Sequence, residues 1–225
     1  MDAGAEWRRA RLVFLDIDTQ IDFMLPEGTL YLEDSKNIFG NLHRLLEYAL
    51  LNRILILQTA DTHTKDDPEF STYGFPAHCV GGTPGWRRVP ETYLLPDLVI
   101  PNTEDAWHPP LTQERVILIE KPSFSIASNS NALRLVEALR PCHFVTFGVA
   151  TEGCVRRSIL SLRSLGFEVS VVIDAVAAGQ SKRGEQALEE FASLGVRPLI
   201  TDDVCFGGLL TGSCLSSASF QLSRH

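Results

Sequence analysis

Short runs of apolar residues constrain the fold of this chain more than any other feature of its sequence. Each main run is almost uninterrupted by polar side chains. Runs of this kind are typical of parallel strands covered on both faces, whereas a strand with one wet face alternates apolar and polar residues. The runs that predict strands occupy residues 12–15, 54–57, 116–119, 144–147 and 169–173, with shorter strands predicted at 98–100 and 197–200.

Helical patterns lie between these runs. In each pattern the apolar residues recur at a spacing of three or four, which places them on one stripe of a helix. One pattern ends before Pro141 and another at Gly166, and these two residue types commonly end helices. The alternation predicts an α/β fold: a doubly wound, mainly parallel sheet with helices on both faces, in a Rossmann-like three-layer arrangement. The predicted helices cover residues 35–51, 131–139, 152–165 and 181–194.

The connection over residues 60–114 interrupts this alternation. It is rich in Pro, Gly, Thr and acidic residues and shows little periodicity. A compact domain rarely carries so long a connection unless the connection is functional. We therefore predict a single domain over residues 1–204 that includes a long functional loop, followed by a Gly- and Ser-rich tail over 205–225.

Composition and charge exclude several classes of function. The 225 residues include 28 acidic and 20 basic side chains. The resulting net charge of −8 lacks the positive excess that attracts nucleic acid or an anionic membrane. No apolar run approaches the roughly 20 residues that span a bilayer. The five cysteines are odd in number and irregularly spaced, which predicts mostly free thiols in a reducing compartment and hence a cytoplasmic protein.

Chemically useful side chains follow four of the predicted strands. In an open α/β sheet, ligands bind outside the carboxyl ends of the strands. Asp18 follows the first strand, Asp61 and His63 the second, Lys121 the third and Cys154 the fourth. A thiol in the first turn of a helix, beside a lysine, is a candidate nucleophile because both features lower a thiol pKa. Taken singly, Cys154 also fits a small buried residue, Asp18 a loop acid and Lys121 a solvated side chain.

A second group of side chains lies within the long connection. Asp61 and His63 are two residues apart, and His78 returns fifteen residues later. These residue types can supply three metal ligands and leave positions open for water or substrate. The same spacing also suits polar residues of a surface loop, so both interpretations stay open on the residues alone.

Four segments together resemble the isochorismatase-like cysteine hydrolase superfamily, and within it the nicotinamidase/pyrazinamidase group. The likeness runs in order from about residue 11 to 203. The segments read D-T-Q-I-D-F from Asp18, D-T-H from Asp61 with F-P-A-H-C-V-G-G-T-P-G from Phe75, E-K-P-S-F-S from Glu120, and G-V-A-T-E-G-C-V from Gly148.

The resemblance implies a catalytic role for each matching position. Cys154 would be the nucleophile, Asp18 the general base and then the general acid, and Lys121 the third member of the triad. It also implies a cis peptide bond before Ala150. The backbone N–H groups of Ala150 and Cys154 would then form the oxyanion hole.

The same resemblance implies a cofactor and a substrate class. Asp61, His63 and His78 would bind a divalent metal ion, zinc first, with iron or manganese as alternatives. Phe23 and Phe75 match positions where the family packs aromatic rings around the substrate. The expected reaction is hydrolysis of a small carboxamide, nicotinamide to nicotinate and ammonia, through a thioester on the nucleophile. By analogy with relatives, we expect a homo-oligomer.

Departures from the family pattern leave the substrate open. The motif tryptophan is Phe75 here, and the motif D-Y before the nucleophile is Glu152 and Gly153. Residues 86–110, which include Trp107 and His108, form a longer segment than the pattern predicts and are interpreted as a lid or an oligomer contact.

Two alternatives therefore stand beside the nicotinamidase hypothesis. One is another small-molecule hydrolase of the superfamily that acts on a ureido or carbamoyl amide, on maleamate or biuret, or on an isochorismate-type substrate. The other, of a different class, is a catalytically silent binding protein on the same fold.

Overall fold

A seven-stranded parallel sheet runs through the computed structural model, which describes residues 12–103, 114–140 and 142–207. Every strand pair in the sheet is parallel, and the spatial order is β3-β4-β2-β1-β5-β6-β7. In chain order the strands are β1 (Leu12–Ile17), β2 (Leu55–Asp61), β3 (Leu98–Ile100), β4 (Val116–Lys121), β5 (His143–Val149), β6 (Glu168–Ala177) and β7 (Arg197–Leu199).

Helices cover both faces of the sheet, which confirms the predicted doubly wound α/β class. The second and seventh helices pack on one face, and the fourth, fifth and sixth pack on the other. In chain order the helices are α1 (Ile21–Met24), α2 (Phe39–Leu51), α3 (Pro68–Tyr73), α4 (Ser130–Ala138), α5 (Arg156–Ser164), α6 (Ser181–Ser193) and α7 (Thr201–Phe206). No helix of the described residues is long and apolar enough to cross a bilayer.

The apolar runs are continuous because each central strand contributes side chains to two hydrophobic cores, one on each face of the sheet. In β1, Phe14 packs in the core beneath α2, whereas Val13 and Leu15 pack in the core beneath α4 and α5. Successive side chains of a strand point to opposite faces, so both alternating sets must be apolar when both faces are covered. This is the physical reason that the sequence predicted a parallel sheet correctly.

Several element boundaries differ from the sequence predictions. The second helix begins at Phe39, because residues 33–37 form a separate 3₁₀ turn. The predicted helix over 152–165 begins as a π-type turn over Thr151–Val155, because Gly153 departs from helical angles with φ −104° and ψ −110°.

The long connection over residues 60–114 also differs from its prediction, since it contains the short helix α3. Residues 104–110 of the longer segment over 86–110, including Trp107 and His108, lie outside the described residues, so its interpretation as a lid or an oligomer contact stays a prediction.

The order of the strands creates a crevice at the carboxyl end of β1. The two neighbours of β1 are β2 and β5, so the chain leaves β1 toward one side of the sheet and later returns to its other side. Such a reversal separates the loops above the two strands and is the usual ligand site of open α/β sheets. The site described below lies at this reversal.

Gly148, near the end of β5, provides a test of how tightly this crevice is built. Its φ is +113°, and a Cβ at this position would overlap the backbone carbonyl oxygen of Ile17 in β1. We expect Gly148→Ala to lower the free energy of unfolding by about 2–4 kcal/mol in urea titrations, through backbone strain and overlap. The matched control is Gly40→Ala in α2, where the new methyl group meets nothing within 4 Å and a gain of up to about 1 kcal/mol is expected. Equal stability of Gly148→Ala and the parent would contradict this reading.

Candidate active site

The centre of the site is the buried ammonium group of Lys121, the last residue of β4. Its Nζ lies 2.8 Å from Asp18 Oδ2, 2.9 Å from Asp61 Oδ1 and 3.6 Å from Cys154 Sγ. Burial alone would lower the pKa of Lys121, but attraction to the two carboxylates outweighs it and holds that pKa well above its usual value. Lys121 is therefore a fixed positive charge, bound to residues from three different strand ends.

Asp18 follows β1 directly and is completely buried. Its Oδ1 accepts a hydrogen bond of 2.6 Å from Thr59 Oγ1, and its Oδ2 faces Lys121. Burial raises the pKa of Asp18 above the ordinary value, and the nearby ammonium of Lys121 only partly offsets this. A buried carboxyl group with a raised pKa is suited to accepting a proton and returning it within one reaction.

Cys154 lies in the π-type turn between β5 and α5 and is 6% exposed. Burial raises the pKa of its thiol well above the usual value; Lys121 lowers it, and Asp18 and Asp61 raise it. Lys121 thus lowers the pKa of Cys154 as expected, but burial outweighs it, so the expected net lowering of that pKa is wrong. The thiol therefore keeps its proton at rest.

The backbone before the nucleophile has the form that the family resemblance implies. The Val149–Ala150 peptide bond is cis. The carbonyl oxygen of Ala150 accepts hydrogen bonds from the N–H groups of Gly153 at 2.9 Å and Val155 at 3.2 Å, which closes the turn around Cys154. The assignment of the Ala150 and Cys154 N–H groups to an oxyanion hole stays a prediction.

A cluster of four possible metal ligands lies next to the candidate catalytic residues Asp18, Lys121 and Cys154. Asp61, His63, Glu69 and His78 each offer one donor atom, and these four atoms lie within 4.8 Å of one another. The structure thus brings together all three predicted ligands. It adds Glu69, which the sequence reasoning missed.

The missed residue had a detectable signal in the sequence. Asp67 caps α3 by accepting from the Glu69 N–H, and Pro68 occupies the first turn. An Asp followed by Pro is a common start of a helix and would have placed Glu69 in that first turn.

The two histidines are oriented as metal ligands. His63 Nδ1 lies 3.0 Å from Asp67 Oδ2, and His78 Nδ1 lies 2.9 Å from the Pro76 carbonyl oxygen. These contacts place the ring protons on Nδ1 and leave both Nε2 atoms facing Asp61 Oδ2, at 3.2 Å and 3.6 Å. His63 Nε2 is buried and has no hydrogen-bond partner. The residues therefore fit a divalent cation.

Electrostatics of the cluster agree with a bound positive charge. Burial would lower the pKa of His63, but Asp61 and Asp67 outweigh it and raise that pKa to about 9 in the protein alone. The cluster thus stabilises one positive charge beside Asp61, whether a proton or a cation carries it.

Aromatic rings contact the two histidines of the cluster. The rings of Phe23 and Phe75, both predicted to line the substrate pocket, lie 5.6 Å and 5.8 Å from the ring of His78. Phe70, which was not predicted, contacts both histidines at 5.1 Å and 5.2 Å. The predicted aromatic residues are therefore placed beside the metal cluster, where a flat ring could pack.

Two residues of the first motif hold the site in position and were not predicted to do so. The side-chain amide of Gln20 donates to the Asp61 carbonyl oxygen at 2.9 Å and accepts from the Asp61 N–H at 2.8 Å. Asp22 Oδ2 accepts from the Cys79 N–H at 2.6 Å, directly after His78. The signature around Asp18 thus positions the neighbouring ligands as well as the candidate base.

Comparisons with known proteins agree with this arrangement. The family described as the isochorismatase domain matches residues 12–203. A relative from Arabidopsis thaliana, named a probable inactive nicotinamidase, is 25% identical over 195 residues, which cover 85% of this chain and 92% of that protein.

Solved structures share the fold over most of the chain. The pyrazinamidase of Pyrococcus horikoshii in complex with zinc is 27% identical, with a TM-score of 0.67 over 84% of this chain and 99% of its own. The pyrazinamidase/nicotinamidase of Streptococcus mutans is 24% identical, with a TM-score of 0.68 over the same shares of the two chains, and this likeness shows the fold.

Removing the central charge should destabilise the protein. We expect Lys121→Met to lower the free energy of unfolding by about 3–5 kcal/mol, because two buried carboxylates lose their shared cation. The control is Lys36→Met, which breaks a 3.5 Å pair with Glu33 at the surface and should change stability by no more than about 1 kcal/mol. Urea unfolding of both variants measures the difference, and a Lys121→Met protein as stable as the parent would show that the charges do not depend on each other.

Divalent cation binding tests the four-residue cluster. We expect one Zn²⁺ per chain to raise thermal stability, by about 2.7 kcal/mol when the free ion is at 100 times its dissociation constant. His78→Ala should weaken binding at least about 100-fold, since it removes a ligand. The exposed His43 supplies the control, because His43→Ala should bind as the parent does. Metal titration with thermal unfolding measures both, and unchanged affinity in His78→Ala would exclude the cluster as the site.

Proposed function

We propose that this chain, which belongs to the isochorismatase family, hydrolyses the C–N bond of a small carboxamide through a thioester on Cys154. Nicotinamide is the substrate that we favour. The observation that carries the proposal is the contact of one buried ammonium, Lys121 Nζ, with Asp18 at 2.8 Å and Cys154 at 3.6 Å. A base, a nucleophile and a fixed positive charge in direct contact have little structural purpose other than catalysis.

The first step forms the covalent intermediate. The substrate carbonyl carbon lies over Cys154 Sγ, and the thiol proton moves to Asp18 as the S–C bond forms. Because the raised pKa of Cys154 keeps the thiol neutral at rest, proton transfer accompanies the attack and does not precede it. The developing oxyanion accepts hydrogen bonds from the backbone N–H groups of Ala150 and Cys154.

The second step releases ammonia and then acid. The C–N bond breaks while Asp18 returns its proton to the departing nitrogen, which leaves a thioester on Cys154. A water molecule then gives a proton to Asp18 and attacks the thioester carbon, and the C–S bond breaks. The sulfur recovers its proton from Asp18. Lys121 stays charged throughout and stabilises the negative charge on Asp18 and on the sulfur.

The metal cluster would position the substrate. A divalent metal ion held by Asp61, His63, Glu69 and His78 supplies a Lewis-acid anchor for a donor atom of the substrate, such as a ring nitrogen. Zinc is the metal that we propose, with iron or manganese as alternatives, and the zinc complex of the Pyrococcus horikoshii pyrazinamidase supports this choice. Phe23 and Phe75 would pack against the substrate ring.

Two observations keep the alternative functions in view. Phe75 stands where the motif has tryptophan, and Glu152 and Gly153 stand where it has D-Y, so a ureido or carbamoyl amide, maleamate, biuret or an isochorismate-type compound is the runner-up substrate. The Arabidopsis thaliana relative is named a probable inactive nicotinamidase, which is the reason to test a silent binding protein as well.

The cellular setting is also part of the proposal. Cys79, Cys142, Cys154 and Cys205 are free in the structure, which supports a reducing, cytoplasmic location. Assembly as a homo-oligomer is proposed from analogy with relatives alone.

An ammonia-release screen tests the activity. Metal-loaded protein is incubated with nicotinamide, pyrazinamide, maleamate, biuret and ureido compounds, and we expect ammonia from nicotinamide. Cys154→Ala and Asp18→Asn should each lose on the order of 10³-fold or more, because the group acts as a unit. Cys205→Ala, on α7, should retain the parent rate.

The screen also separates the alternatives. Ammonia from another amide, and none from nicotinamide at millimolar concentration, would replace the nicotinamidase assignment by the runner-up. No ammonia from any compound, together with thermal stabilisation by one of them, would support the silent binding protein.

A further inference from the structure

Thr59 of β2 is a fully buried polar residue beside the candidate base, Asp18. Its Oγ1 donates to Asp18 Oδ1 at 2.6 Å and accepts from the Asp18 backbone N–H at 3.2 Å. A backbone N–H can only donate and an ionised carboxylate can only accept, so the directions of both bonds are fixed. One hydroxyl group thus binds both the backbone and the side chain of the base.

The backbone of Asp18 lies where such support is needed. Its φ is +50°, in the left-handed region that residues other than glycine seldom adopt. The Asp18 N–H also lies 3.3 Å from the Thr59 carbonyl oxygen, which accepts a further hydrogen bond of 2.9 Å from Arg88 Nη1. Arg88 in turn pairs with the buried carboxylate of Asp16 in β1. Thr59 is therefore itself fixed in place and can hold Asp18.

The two oxygens of the Asp18 carboxylate consequently have different surroundings. Oδ1 is occupied by the Thr59 hydroxyl, whereas Oδ2 has no partner within the described part of the chain other than the Lys121 ammonium at 2.8 Å. A donor at hydrogen-bond distance lowers the proton affinity of the oxygen that it contacts. Thr59 therefore leaves Oδ2 as the oxygen that is free to accept the Cys154 proton.

The second carboxylate on Lys121 cannot replace Asp18 in this role. Asp61 Oδ1 lies 2.9 Å from Lys121 Nζ, and its Oδ2 faces the Nε2 atoms of His63 and His78 at 3.2 Å and 3.6 Å. Both oxygens of Asp61 are thus committed to the lysine and to the metal cluster. The transfer of the thiol proton depends on the placement of Asp18 Oδ2.

We propose that Thr59 is a positioning residue for the candidate base: its hydroxyl group fixes the Asp18 carboxylate so that Oδ2 faces Lys121 and takes the proton of the Cys154 thiol. This role rests on the proposed function, because it concerns the residue that moves the proton. Since Thr59 acts through Asp18, loss of its hydroxyl group slows the chemical step and leaves substrate binding unchanged.

Steady-state kinetics test this role, with nicotinamide or whichever amide of the screen releases ammonia. Thr59→Val keeps the shape of the side chain and removes the hydroxyl group, so kcat should fall about 10- to 100-fold, because a hydrogen bond to a charged group is lost. KM should stay within about threefold of the parent value. Thr59→Ser keeps the hydroxyl group and should retain kcat to within about threefold.

Thr146→Val is the matched control. Thr146 of β5 is also fully buried, and its Oγ1 donates to the Ser170 carbonyl oxygen at 2.8 Å. The hydrogen bond that this variant loses involves no candidate catalytic residue, so kcat should stay within about twofold of the parent. A fall in kcat equal to that of Thr59→Val would mean that loss of any buried hydroxyl group slows the enzyme, and would overturn the proposal.

Crystal structures of the parent and of Thr59→Val give a readout that needs no turnover. We expect the Asp18 carboxylate to turn in the variant; the same orientation in both would overturn the proposal, as would an unchanged kcat in Thr59→Val or a kcat in Thr59→Ser as low as in Thr59→Val. If the parent releases ammonia from no amide, the proposed function fails, and the crystal structures alone decide the role of Thr59. Thr59→Cys, whose thiol is a weak donor, takes the place of Thr59→Val if that variant does not fold.

Discussion

The site depends on one electrostatic constraint: the ammonium of Lys121 is completely buried and must be neutralised by its neighbours. Asp18 and Asp61 provide that neutralisation, and they are also the candidate base and a candidate metal ligand. The candidate catalytic residues and the candidate metal cluster therefore share the Lys121 ammonium. Neither can be rearranged without changing the electrostatic environment of the other.

The same constraint explains why the thiol did not behave as the sequence suggested. A helix terminus and a lysine are visible in the order of residues around Cys154, and both favour a thiolate. Burial and the second carboxylate, Asp61, are visible only in three dimensions, and they raise the pKa of the thiol. The sequence thus predicted that an acid, a lysine and a thiol lie together. It could not predict that the Cys154 thiol keeps its proton at rest.

Much of the fold was predictable because the signals were local and repeated. Continuous apolar runs indicated parallel strands, and the residues that follow those strands meet at one edge of the sheet; hence Asp18, Asp61, Lys121 and Cys154 were found before the structure. The connection between β2 and β3 was harder, because its conformation is set mainly by long-range contacts.

Three features of the connection between β2 and β3 show what could not be predicted from the sequence. Glu69 joins the metal cluster only because Asp67 and Pro68 start a helix within an otherwise irregular segment. Arg88 reaches β1 and β2 through contacts with Asp16 and Thr59, and no periodicity in the sequence marks it. The cavity of about 170 Å³ beside Arg88, which residues of β2, β4 and this connection line, could not be predicted either, since its walls come from segments distant along the chain.

The positions of the strands have a consequence for how activity and folding are related. The candidate catalytic residues lie at or just after the ends of β1, β4 and β5, and the metal cluster begins at the last residue of β2. The two margins of the sheet, β3 and β7, are three residues long and carry none of them. Fraying at either margin can thus occur in a fully competent molecule. Separation of the inner strands, by contrast, disperses the candidate catalytic residues and the metal cluster together, so the site and the centre of the sheet are lost in one step.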